Sequence, residues 1–110
     1  MGQYFRAVNM DKREYVDPWH IGGGAKLWEW CVNTQAGIFP FLLRRSSEGG
    51  GGDIEEEYTT AGRWAGDHVV LVGDYDESGL WQEAERSFSN ISQQLVQEYN
   101  QFIAIPDGVT

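Results

Sequence analysis

The densest run of oxygen-bearing side chains is Asp74-Tyr75-Asp76-Glu77-Ser78-Gly79-Leu80-Trp81-Gln82-Glu83-Ala84-Glu85. Its spacing matches a calcium loop. Asp74, Asp76 and Ser78 take the first, third and fifth positions, Gly79 the sharp turn and Leu80 the carbonyl position. Glu85 falls where a bidentate carboxylate closes the site. Calcium gathers about six to eight oxygens, which is why acids at every second position point to it. Ser78 stands where Asp or Asn is usual, and Trp81 replaces a small aliphatic residue. The residues before the loop read as a strand and not as an entering helix. A turn followed by an acidic helix start needs the same residue types. Calcium is therefore the one cofactor the chain suggests, against a plain structural reading.

Cys31, His20 and His68 raise a nucleophile or a zinc site. Zinc ligands come in short pairs such as C-x2-C or H-x3-H, and these three are single and far apart. Cys31 alternates with bulky apolar residues and is expected as a small buried hydrophobe. His68 opens an apolar run and is expected to cap or pair there. A small enzyme using Cys31 or a histidine is the least supported of the functional readings.

A third constellation is pure charge. Asp53 and Glu55-Glu56-Glu57 follow the glycine run Gly49–Gly52, and Asp74, Asp76 and Glu77 come later. The formal charge of the 110-residue chain is −9, unevenly spread. Residues 1–47 carry six basic and four acidic side chains, a balance of +2. Residues 48–98 carry twelve acids against Arg63 and Arg86, a balance of −10, and Asp107 completes the total. Such a surface disfavours direct contact with nucleic acid, which needs cations. It favours a basic protein surface as partner, because opposite charge steers encounter. A solvated loop, or a halophilic host or GC-rich genome, accounts for the same composition.

The apolar share of 41% and aromatic share of 14% are too high for a disordered chain. The length suits one domain, here residues 1–110, with a flexible glycine-rich loop near 46–57. One cysteine gives no internal disulfide. No leader pattern opens the sequence, and no apolar run nears the ~20 residues of a membrane span. A cytoplasmic location is expected. Five Trp and five Tyr are many, and some are expected at the surface, where amphipathic rings meet partners.

The elements that must hold these residues follow from periodicity. Gln3–Asn9 alternates as a first strand and Glu14–Val16 is a short extended piece. Residues 26–32 alternate and favour a strand, whereas 35–45 favours a short helix with Pro40 near its first turn. His68–Val72 is uniformly apolar and reads as the central strand of a sheet. From Leu80 to Phe102 apolar residues recur at Trp81, Ala84, Phe88, Ile91, Leu95, Tyr99 and Phe102, one stripe of one long helix. Gly22–Gly24 and Gly49–Gly52 fit neither a dinucleotide nor a phosphate loop. The expected fold is α+β: a small antiparallel sheet of about four strands, packed by a long C-terminal helix and one shorter helix.

Two blocks resemble a group of small uncharacterised prokaryotic and phage proteins. One is Met1-Gly2-Gln3-Tyr4-Phe5-Arg6-Ala7-Val8-Asn9 with Lys12-Arg13-Glu14-Tyr15-Val16. The other is Trp64-Ala65-Gly66-Asp67-His68-Val69-Val70-Leu71-Val72-Gly73-Asp74-Tyr75. Together they cover about a third of the chain. The resemblance implies no known enzymatic activity; occurrence in phages implies an accessory or anti-defence role. The leading expectation is a non-catalytic acidic protein. It would engage a basic protein, such as one that otherwise holds nucleic acid, through Asp53, Glu55, Glu56, Glu57, Asp74, Asp76 and Glu77. No membrane partner is expected. Self-association is also open, since the amphipathic helix could bury its stripe on its own sheet or on another copy.

Overall fold

Alternation along Phe5–Asn9 sends Phe5 and Ala7 to one face and Arg6 and Val8 to the other. The structure, a computed structural model, describes residues 2–48 and 58–104. Strand β1 (Phe5–Asn9) returns through a tight turn into β2 (Glu14–Val16), pairing Asn9 with Glu14. The buried Asn9 side chain builds that turn. Its Oδ1 accepts from the Asp11 and Lys12 amides at 2.9 and 2.8 Å, and Arg13 takes a left-handed φ of 57°.

Strand β3 (Val69–Gly73) runs antiparallel along the other side of β1. The two-residue β4 (Ser89–Asn90) adds parallel to β2, so the order is β3-β1-β2-β4. The fold is α+β as the pattern implied, with a mixed sheet. The 68–72 strand is not central; β1 is. Its unbroken apolar run has another cause, because the sheet is covered on both faces. Val69 and Leu71 pack into one cluster, Val70 and Val72 into the other.

One face carries α1 (Leu27–Val32), α2 (Ile38–Leu43) and α4 (Ser92–Ile103). Trp30, Ile38, Phe41, Leu42, Trp64 and Leu95 meet Ala7 and Val16 there. The other face carries α3 (Leu80–Ser87), whose Ala84 packs with Val8, Tyr15 and Val72.

Residues 27–32 are a helix, not a strand. Glu29 reaches back to the Lys26 amide at 3.1 Å and caps the turn. Trp30 is the buried residue of this helix, so a period of two had no sheet face to serve. The 80–102 stripe belongs to two helices. Trp81, Ala84 and Phe88 serve the α3 face, while Ile91, Leu95 and Tyr99 serve the opposite one. The break falls at Ser87-Phe88-Ser89-Asn90, where short polar side chains compete with helical hydrogen bonds. Asn90 Oδ1 accepts from the Ser92 amide at 3.0 Å, and Ser92 Oγ accepts from the Asp17 amide at 2.7 Å. In α2, Pro40 lies in the first turn, where its missing N–H costs nothing.

Candidate interaction surface

The loop between β3 and α3 holds most of the described candidate acids. Asp74 is tied to the start of β1: its amide donates to the Tyr4 carbonyl at 2.8 Å, and its Oδ1 accepts from the Tyr4 amide at 3.0 Å. Asp76 Oδ2 accepts from the Ser78 hydroxyl and, at 3.0 Å, the Ser78 amide. Those bonds, the hydroxyl first, hold its carboxyl below the usual range. Glu77 is exposed. Gly79 takes the left-handed φ of 81° that turns the chain into α3, and its carbonyl receives the Glu83 amide at 3.0 Å. The result is a fixed, solvent-facing acidic loop.

Two arginines of the basic N-terminal half bind α3 to the sheet. Arg6 is 4% exposed. Its guanidinium lies 3.8 Å from the Trp81 ring centroid and 5.6 Å from that of Tyr15. Nη1 donates to the Trp81 carbonyl at 2.9 Å, and Nη2 is 3.4 Å from Glu85 Oε2. Arg13 lies 4.6 Å from the Phe88 ring and 3.7 Å from Glu83. The acids of 48–98 are thus not one free face. Glu83 and Glu85 answer arginines, and Asp67 meets Lys12 and Asn9. Glu98 is on the other side of the sheet, holding Thr59 and Thr60.

Asp74, Asp76, Ser78, Leu80 and Glu85 are therefore engaged in other bonds or in the start of α3. Among the described residues no group of three or more His, Cys, Asp or Glu is placed to hold a metal. A calcium ion at this loop would compete with Tyr4 for Asp74, with Ser78 for Asp76 and with Arg6 for Glu85. Asp53, Glu55, Glu56, Glu57 and the glycines Gly49–Gly52 lie outside the described residues.

The remaining candidates are dispersed. Cys31 is exposed on α1, contrary to its expected burial, because α1 turns that side outward. His20 sits in the turn at Pro18–Ile21, with Nδ1 3.0 Å from Asn90 Nδ2 and 3.9 Å from Asp17. His68 uses its main chain at the sheet end: its amide donates to Asp11 at 2.7 Å and its carbonyl accepts from Met10. A cavity of about 390 Å³ opens between Gly23, Gln35 and α4. Its buried amide, Gln35, is spent on both main-chain groups of Gly24 at 2.8 Å.

Sequence reasoning missed Arg6 and the Glu14–Arg63–Trp64 group. Burial pushes the Glu14 carboxyl up. Bonds from Arg63 and from Trp64 Nε1 at 2.9 Å, with the Arg63 and Lys12 charges, outweigh this and hold it below its ordinary value. The bond to Glu14 raises Arg63 in turn. A charged residue inside each of two apolar strands was the available signal. Trp28 and Trp19 are 72% and 54% exposed, so some tryptophans do reach the surface. No described helix is long and apolar enough to cross a membrane. No family model, curated protein or solved structure matches the chain.

Proposed function

We propose that this is a non-catalytic binding protein whose acidic loop engages a basic protein surface, of the kind that otherwise holds nucleic acid. What supports the reading is the Asp74-Tyr75-Asp76-Glu77 turn. The Asp74 amide and carboxylate are tied to Tyr4 and the Asp76 carboxylate to Ser78 before any partner arrives, and Asp76 and Glu77 face solvent. Little ordering entropy is left to lose on binding. A phage-type inhibitory role is the corresponding biological setting, carried by the two-block resemblance.

Poly-L-lysine is the simplest surrogate. Binding should weaken steeply as salt rises. The triple variant Asp74→Asn, Asp76→Asn, Glu77→Gln should bind about threefold or more weakly, each exposed charge giving a few tenths of a kcal/mol. A parallel variant with Glu55, Glu56 and Glu57 changed to Gln measures the other acid run. Equal binding by both variants and the wild type would end the proposal.

A further inference from the structure

We propose that His20 is a proton-operated clasp: its neutral ring holds β4 through Asn90, and its protonated ring lets Asn90 go and turns to the Asp17 carboxylate. This goes beyond the acidic-loop reading and does not depend on it.

The orientation of the Asn90 amide carries the argument. The Ser92 main-chain amide can only donate, so the Asn90 atom 3.0 Å from it is the oxygen, Oδ1. The Ser92 hydroxyl donates to the same oxygen. Ser92 Oγ in turn accepts from the Asp17 amide at 2.7 Å, in a fully buried place. Asn90 Nδ2 is thereby aimed at His20 Nδ1, 3.0 Å away. An amide nitrogen of this kind donates and does not accept. His20 Nδ1 must therefore accept, which leaves the ring neutral with its proton on Nε2. The bond ties the turn at Pro18–Ile21 to the short strand that parts α3 from α4.

Protonation makes both ring nitrogens donors. Nδ1 then points a proton at the protons of Asn90 Nδ2. Asn90 cannot bring its oxygen round without giving up both bonds from Ser92. The ring has the easier move. Asp17 Oδ2 is 3.9 Å from Nδ1, and the Trp19 amide holds that carboxylate in place through Oδ1 at 2.9 Å. The His20 side chain is 58% exposed and borders a cavity of about 500 Å³ with Asn90 and Gln93, so it has room to turn. The ring faces Asp17 from its own turn, Asn90 from β4 and Gln93 from α4. Tyr4, ahead of β1, meets the adjacent Trp19 ring. Among the described residues no carboxylate other than Asp17 pairs with His20. Ser92 keeps the helix break in either state. What protonation changes is the Asn90 amide group, which passes from bonded to offered at the surface.

NMR on the isotopically labelled full chain from pH 8 to pH 5, the range in which histidines change charge, tests this. At pH 8 the His20 Hε1 proton, next to Nδ1, should show a nuclear Overhauser contact to the Asn90 Nδ2 protons. The contact should be lost by pH 5, in step with the titration of that ring. Asp17→Asn keeps an acceptor for the Trp19 amide and removes the charge, so its His20 should hold a proton about twofold or more weakly than in the wild type. Asn90→Ala removes the partner of the neutral ring, and its His20 should hold a proton about twofold or more tightly. If Asn90→Ala unfolds, Asp17→Asn and the wild-type contacts still decide. A contact to Asn90 that persists once His20 is protonated overturns the proposal. So does an unchanged proton affinity in Asp17→Asn.

Discussion

The Arg6 guanidinium stacks 3.8 Å from the centre of Trp81 and donates to that residue's own carbonyl at 2.9 Å, so one side chain grips both the ring and the backbone of α3. A desolvated cation–π contact is worth about 2 kcal/mol. Among the described residues Arg6 Nε is nevertheless buried without a partner, and the facing Glu85 side chain is 66% exposed. Arg6→Ala should therefore cost about 2–4 kcal/mol in urea unfolding. Arg6→Met, which keeps the volume and removes the orphaned donor, should cost clearly less, because Glu85 is left in water. Equal losses would show that the charge, not the packing, holds α3.

Acid should destabilise the fold partly through Glu14. Its folded pKa lies below the ordinary 4.5. A depressed carboxylate contributes stability above its unfolded pKa and loses it as pH falls through the folded value. Glu98 has the same sign: burial raises it, but bonds from Thr59, Thr60 and Gln94 prevail. Stability measured from pH 7 downward should hold to about pH 5 and then fall. Glu14→Gln should flatten the fall at the cost of a lower plateau.

The helix break should depend on Ser92. Ser92→Ala leaves the Asp17 amide without its 2.7 Å bond in a fully buried place, a loss of about 1–3 kcal/mol. Asn90→Ala removes the bonds from the Ser92 amide and hydroxyl and should cost about 1 kcal/mol, the net worth of such bonds. Thermal unfolding of the two single variants checks the order.

Gly62→Ala should be among the costlier glycine changes. Its φ is +70°, and a Cβ there would come within 2.6 Å of the Arg44 carbonyl oxygen. Gly66, at φ +79°, has open space around it. Gly66→Ala should thus cost about 1 kcal/mol, from backbone strain alone, and Gly62→Ala more. Denaturant midpoints compare them directly.

Strands β1 and β2 and the class of fold were legible because alternation and turn chemistry are local. Asn9 sits where its side chain must build the turn. The placement of β3 was not legible: an apolar run reports cover on two faces and says nothing of neighbours on two sides. The long C-terminal helix is present as α4, but the break that separates it from α3 was not legible, for a related reason. Trp81-Ala84-Phe88 and Ile91-Leu95-Tyr99 keep one helical phase although they serve opposite faces, and the β4 pairing that parts them is a contact with distant Glu14 and Tyr15. The acids of the 74–77 loop were readable as charge. That Glu85 and Glu83 face Arg6 and Arg13 depends on contacts between residues far apart along the chain.

β4 also limits how far the sheet can grow. Two exposed residues between α3 and α4 offer an incoming strand almost nothing to pair with. On this side the sheet is too short to template an added strand. A sheet closed in this way on one side cannot elongate through both of its edges into a fibre.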